Sequence, residues 1–490
     1  MVTVTEETLV VKVESNGASE EVYVYADEAT GTKGSTQKIT EGENKQNENV
    51  NSALGQLVLD NGATADKAQT AEEKQAAKEE AVEEAVVEEI EEDDKYVARI
   101  GTTPFESLKD AVASANTNDI IEMTANDVST ETLNVGKHIT IKMNEKTFGG
   151  TIAITASNDV PVVVIGNANI DAVCRIGSNY FSNLTTQYSG YTVILMKDIT
   201  MSQIYKHDYS GTAKNWGVDL NGHTITLTNN NSEGGVYVGS YYGTNHTLSF
   251  SNGNLVFTGT SSSAVAMEVY GNLNLNNVNV TSSCGTAIKT EAGYWDGPGH
   301  VTITGGSIVS QGKGLDLQAY KSGTTVKQST AVLTNVTISA KNEGVKSNGA
   351  SCTIESCSIS STNSYAVSTF NSSSGSNPSQ VIISGNSSIV ASSAHAINCT
   401  SGTLQISGNT ELTGTMYVQS SAMTIAGGVY HGNFSLGGSG QLTIAGGTYN
   451  GNLIDVTEAG RLLVIGETQF EELVTYSITG SNGLYEVVAQ

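Results

Sequence analysis

The sequence predicts an all-β chain wound into a solenoid, and three observations carry that prediction. The first is a near-copy. Met423-Thr424-Ile425-Ala426-Gly427-Gly428-Val429-Tyr430-His431-Gly432-Asn433 returns nineteen residues later as Leu442-Thr443-Ile444-Ala445-Gly446-Gly447-Thr448-Tyr449-Asn450-Gly451-Asn452. Each copy reads as a short strand, a Gly-Gly corner, a second strand and a Gly-Asn turn. A unit this small has no core of its own and buries its apolar residues only by stacking on another copy. The second is punctuation. Leu195, Ile225, Leu255, Leu275, Ile303, Leu333, Ile354, Ile383, Ile406, Ile425, Ile444 and Val464 recur at steps of 19 to 30 residues. That spacing suits a three-faced coil with one variable loop per turn. The third is composition: 52 Gly, only 4 Pro and 6 % aromatic residues, with Ser, Thr and Asn abundant from about residue 180 onward. Such a mixture without punctuation would read as disorder; with it, the mixture reads as a surface-heavy β chain.

The elements follow in chain order. Residues 1–60 read as a small β unit, because 8–13 and 21–26 alternate as strands around the hairpin signal Asn16-Gly17. Leu54-Gly55-Gln56-Leu57-Val58-Leu59 adds a short apolar run. Residues 61–95 form an acidic helical segment, with twelve acids against Lys74 and Lys78 between Glu72 and Asp94. Val82, Val86 and Ile90 share one helical face. The segment is either a solvated linker or a short coiled-coil neck that joins chains. Residues 96–101 read as a strand, and 105–115 as an amphipathic helix with Phe105, Leu108, Ala111, Val112 and Ala115 on one side. The coil's first turns are expected within 96–150, its body across 151–470, and a C-terminal cap at 471–490.

Charge and cysteine content exclude several classes. The net charge is −26, which repels nucleic acid and anionic membranes, so neither is an expected partner. No run approaches membrane-spanning length. The opening Met1-Val2-Thr3-Val4-Thr5-Glu6-Glu7 has neither the basic nor the apolar part of a secretory leader. The expected routes outward are a leader already removed, or release of assembled particles by lysis. Five cysteines at irregular spacing make no disulfide framework; Cys352 and Cys357 either meet across a corner or, with the others, fill small buried positions. Metal-ligand spacing is lacking, and no cofactor or metal is expected.

Two stretches carry a family resemblance. The succession Tyr96-Val97-Ala98-Arg99-Ile100-Gly101, helix, Asp119-Ile120-Ile121-Glu122-Met123 and 137–148 resembles the N-terminal cap of right-handed parallel β-helix proteins, the pectate-lyase-like superfamily. Val218-Asp219-Leu220-Asn221-Gly222-His223-Thr224-Ile225 is similar to that family's recurring turn phrase. The resemblance covers about residues 96–470. It implies a right-handed parallel β-helix whose helix plugs the open end. It is similar both to phage spike and head-fibre shafts and to bacterial surface adhesins, and is nearly silent on function, because the fold hosts lyases, hydrolases, adhesins and spikes.

Catalytic chemistry is thin. The chain has three arginines, Arg99, Arg175 and Arg461, and no paired-Asp motif in its turns. Asp296 and Asp316 with His300 form the one acid–base candidate, set against solvated loop acids. Aromatic residues crowd into 180–320. Trp216, Tyr237, Tyr241, Tyr242, Tyr294, Trp295 and Tyr320 are the expected contacts with a glycan or partner, the alternatives being an interface between chains or loop packing. The expectation is a non-enzymatic virion fibre or spike protein on a phage surface, anchored through its N-terminus to a virion protein. Copies of the chain would form a homo-oligomer, a trimer, and contact host-surface glycans. The alternatives are a bacterial cell-surface adhesin and a polysaccharide lyase or glycoside hydrolase.

Overall fold

A computed structural model describes residues 95–449 apart from 158–159, 186–189, 207–214, 229–233, 242–243, 260, 293–296, 323 and 372–376, together with the backbone of strands within 2–25 and 453–487. The chain divides into two compact units, Met1–Asp93 and Asp94–Gln490. In the first, Thr8–Ser15 pairs antiparallel with Ala18–Tyr25 in the register Ser15↔Ala18, while the expected turn Asn16-Gly17 lies outside the described residues. A third strand, Val2–Thr5, extends the sheet. The neck positions Val82, Val86 and Ile90 and the run 54–59 lie outside the described residues.

The second unit is nearly all strand, in a long and mostly parallel sheet compatible with a solenoid. Its helix, Leu108–Ser114, is shorter than the apolar stripe suggests. Phe105 belongs to the strand Thr103–Phe105, because Ser107 starts the helix by accepting the Asp110 amide at 3.0 Å. Buried Asp127 accepts the Leu108 amide at 2.8 Å, and Lys137 Nζ donates to the carbonyls of Ala113 and Ala115 at the other end. Leu108, Ala111 and Val112 pack with Ile121, Ile141 and Ile152 in a first core. That core fills a short coil whose first face is Ile120–Met123, Thr140–Lys142 and Val162–Ile165. Its second face is Thr132–Val135, Thr151–Ile154 and Ile170–Asp171.

Parallel pairing is interrupted between Val162 and Leu195. Val162–Ile165 pairs antiparallel with Asn179–Phe181, which pairs antiparallel with Cys174–Ile176, which pairs antiparallel with Thr192–Leu195. Three antiparallel steps reverse the strand direction. The core changes side as well. Partners directly opposite in a sheet project to the same side, and Val162 with its partner Tyr180 faces the first core. Cys174, Phe181 and Leu195 face a second core that extends to Tyr449. Reversing both direction and core side leaves the winding sense unchanged, so one hairpin joins two coils of the same hand.

Beyond the hairpin each turn lays down three faces. The first starts at Thr192–Leu195 and runs from Asn215–Asp219 through 247–251, 272–276, His300–Thr304, Thr330–Thr334, Ser351–Glu355, Gln380–Ser384, Thr403–Ile406 and Ala422–Ile425 to Gln441–Ile444. The second starts at Ile199–Met201, below Thr224–Leu227, and the third at Ile204–Lys206, below Val236–Val238. In-register inward columns fill the core: Val218, Phe250, Leu275, Ile303, Leu333 and Ile354 stand one above another. Two of the punctuating residues therefore sit on another face. Ile225 and Leu255 belong to the second face, paired with Val280. The strands Thr247–Phe257 and Asn272–Ser282 run across the corner without a break, so apolar spacing alone could not separate the two faces. The corner is a column of left-handed residues, Asn252, Asn277, Gly305 and Asn335, with φ of 55°, 53°, 66° and 56°, the backbone region Asn and Gly tolerate best.

All five cysteines are free and buried, so Cys352 and Cys357 fill core positions and no bridge joins them. The strands Thr475–Thr479 and Leu484–Val487 pair parallel with Leu453–Thr457 and Arg461–Val464. Among the described residues no helix is long and apolar enough to cross a membrane.

The twin phrase shows how the stack is held. Tyr430 and Tyr449 are fully buried, with ring centroids 4.9 Å apart and planes within 10°. Their hydroxyls donate to the Gly427 and Gly446 carbonyls at 2.6 and 3.0 Å, and Phe434 packs against both rings. Tyr430→Ala should destabilise these turns by about 3–5 kcal/mol, and Tyr430→Phe by about 1 kcal/mol through the lost hydrogen bond. Amide hydrogen exchange in Gln441–Ile444 checks both, with the alanine variant exchanging faster than the phenylalanine one.

Candidate functional site

The three faces differ in what they show to solvent. On the third face, alternation turns Val236 and Val238 inward and Tyr237 outward. The same phase continues up the stack through Glu268, Lys289, Asp316, Lys346, Ser368, Asn398 and Tyr417, with Asp316, Ser368 and Asn398 buried beneath their neighbours. Glu268, Lys289, Asp316 and Lys346 thus alternate in sign from one turn to the next. Opposite charges on neighbouring strands stabilise by about 0.2–1 kcal/mol a pair, and like charges there would repel. By contrast, the described outward residues of the second face from Thr224 to Thr413 include one carboxylate, Glu411, and no lysine or arginine.

Two positions along each strand, a second outward column holds Tyr270, Glu291, Gln318, Asn348 and Phe370. Tyr270 lies 5.6 Å from Tyr237, ring to ring. Lys289 pairs with Glu291. The Lys346 ammonium sits 5.2 Å over the Phe370 ring. Where the third face gives way to the first, two connections fold into hairpins: Ser240–Tyr241 against Thr244–Asn245, and Lys313–Ser322 continuing against Thr325–Gln328. Tyr320 stands in the second, opposite Lys327.

Of the residues singled out in the sequence, Tyr237 and Asp316 share one column of this face, three turns apart, and Tyr320 stands in the hairpin beside it. Tyr241 has its backbone in the first hairpin. Its side chain, and all of Tyr242, Tyr294, Trp295 and Asp296, lie outside the described residues. Trp216 is a correction. Expected at a contact surface, it is 2 % exposed, because the alternation that turns Val218 inward also turns Trp216 inward, above Leu248 and Leu273. Its period-2 relation to Val218 and Leu220 was the available signal.

The acid–base candidate is not assembled among the described residues. Asp316 is 5 % exposed and fully engaged: Oδ2 accepts from Lys313 Nζ at 2.8 Å, and Oδ1 accepts from Gln318 and Asn348. Burial would lower the Lys313 pKa, but the Asp316 carboxylate, with Glu343 beyond it, holds it above the ordinary lysine value. Asp316 is thus occupied as a structural counter-ion. His300 opens a first-face strand and shares a hydrogen bond with Thr330 Oγ1 at 2.8 Å. No contact joins it to Asp316.

Sequence reasoning counted Tyr270 in the aromatic crowd over 180–320 but missed Lys289, Lys346, Phe370 and a further stack, Tyr365, His395 and Tyr417, with successive centroids 5.8 and 5.5 Å apart. The signal for the column was a polar residue flanked by inward ones, as in Val236-Tyr237-Val238 and Leu315-Asp316-Leu317. It becomes legible only once the register is known. A separate groove of about 430 Å³ lies between the helix and Thr132–Val135 in the first coil, lined by Lys109, Val112, Leu133 and Lys137. No protein-family model matches the chain, and no curated protein or solved structure matches it either.

Burial lowers the pKa of both His300 and His395 from the ordinary histidine value of 6.5. The unfolded chain therefore binds protons at a higher pH than the folded one, and their contribution to stability falls as pH drops below about 6.5 toward the folded values. The melting temperature should decline from pH 7.5 to pH 5, and replacing both histidines by Gln should flatten that decline; thermal melts across the range check it.

Proposed function

We propose that this chain is a non-enzymatic fibre protein exposed on a phage particle, a right-handed parallel β-helix whose third face contacts host-surface glycans. The observation that carries this reading is the segregation of side chains: aromatic and charged residues gather on the third face and the hairpins beside it. Tyrosine rings such as Tyr237, Tyr270 and Tyr320 offer stacking surfaces for sugar rings. Gln318 and Asn348 beside them carry donors and acceptors suited to sugar hydroxyls. The alternating charges cancel locally, which favours approach of uncharged or weakly charged glycans despite the chain's net charge of −26. The helix Leu108–Ser114 caps the first coil in this reading, and the N-terminal unit attaches the fibre to its particle.

Binding to a panel of bacterial surface polysaccharides tests the glycan reading. Tyr237→Ala with Tyr320→Ala should weaken the best binder at least tenfold, the equivalent of about 1.4 kcal/mol, with no sugar released from it by the native chain. Release of reducing ends or unsaturated sugars would establish an enzyme instead. An antibody against the chain should decorate phage particles under the electron microscope; decoration of the bacterial envelope alone would identify an adhesin.

A further inference from the structure

The outward side of the first face has a different character. From Asn215 to Thr443 its described residues are mainly Thr, Ser, Asn and Gln. They include two carboxylates, Asp219 and Glu355, and no lysine or arginine. Near the middle of the stack Val332 and Ile382 are each 43 % exposed. They stand in one column, with Thr353 between them in register. This is the central column, because Thr353 is the third residue of the five-residue strand Ser351–Glu355.

We propose that the first face is an interface with a second copy of this chain, laid alongside in parallel. Two arguments select that occupant. The first is charge. Two copies each carrying −26 repel, and repulsion between exposed charges fades beyond about 10 Å at ordinary salt. Copies come together at least cost where both surfaces are nearly uncharged, which leaves the first and second faces, and of these the first carries two exposed apolar residues, Val332 and Ile382, in one column. The second is area. Ten stacked strands about 4.8 Å apart make a surface about 45 Å long, and strands of four or five residues make it about 15 Å wide. That is about 700 Å² from each copy, close to the ~800 Å² per partner of a stable association. A parallel pair is isologous, so each turn meets the same turn of the other copy. The central column then lies along the two-fold axis, Val332 and Ile382 of one copy touch their counterparts, and the third face of each copy points away, free for its own ligand.

The test uses the full chain. All five native cysteines are buried, so a surface cysteine is the accessible thiol. Thr353→Cys, on the central column, should give a disulfide-linked pair under mild oxidation, in most of the chains and reversibly with reductant. Thr337→Cys, exposed on the second face, should stay unlinked. Sedimentation of the native chain at micromolar concentration should report a pair, and Val332→Glu with Ile382→Glu should report single chains with an unchanged circular dichroism spectrum. Native chains that sediment singly would overturn the proposal. So would linking through Thr337→Cys and not Thr353→Cys, or a pair that survives the two glutamates. Glycan binding by the single-chain variant separates this proposal from the reading of the third face, since either can fail alone.

Discussion

In-register parallel pairing is the constraint from which the rest of this structure follows. Each strand of a turn satisfies its backbone donors and acceptors on the turns above and below, so a residue's height on one turn fixes its partner on the next. Side chains are thereby sorted into columns, inward and outward by turns. An inward column must be apolar or small along its length, and Val218, Phe250, Leu275, Ile303, Leu333 and Ile354 meet that demand with varied shapes. An outward column is free in chemistry but not in position, so any property the surface acquires arrives as a stripe.

The same constraint explains the hairpin at Cys174–Ile176 and Asn179–Phe181. A parallel stack cannot change its core side by drifting, because every strand inherits the orientation of its neighbour. Antiparallel strands allow the change. Tyr180 continues the first core and Phe181 opens the second, so adjacent residues of one short strand serve opposite sides of the sheet. With direction and core side exchanged together, winding resumes in the same sense and a single long sheet spans both coils.

The sequence made the repetition visible because identical phrases are independent of register. It made the pairing of Thr8–Ser15 with Ala18–Tyr25 visible because turn chemistry is local. Phase was hidden. Ile225 and Leu255 are apolar, evenly spaced and inward, but they lie on the second face, and nothing local distinguishes an inward isoleucine of one face from that of another. Trp216 shows the opposite error: its residue type suggested a surface contact, while its period-2 relation to Val218 and Leu220 was the better guide. Of the seven aromatic candidates, Tyr237 and Tyr320 could be placed at the third face and its hairpin only after pairing was known. Lys289, Lys346 and Phe370 had no signal until Tyr237 and Asp316 fixed the column they share.

Segregation of chemistry between faces follows from where the loops are. The connections after the third face are the long ones, with hairpins at 240–245 and 319–328, whereas the corner between first and second faces is a tight column of left-handed Asn and Gly. A tight corner keeps two faces flat and rules out insertions, so those faces can repeat the same hydroxyl and amide residues turn after turn. Loops at the far edge of the third face break that uniformity and bring tyrosines with them. The twin phrase at 423–452 sits where such loops are shortest, and its aromatic rings, Tyr430 and Tyr449, are spent on the core. Regular turns give the stack its length and rigidity; irregular ones give it a surface that differs from place to place, and specific recognition needs that difference.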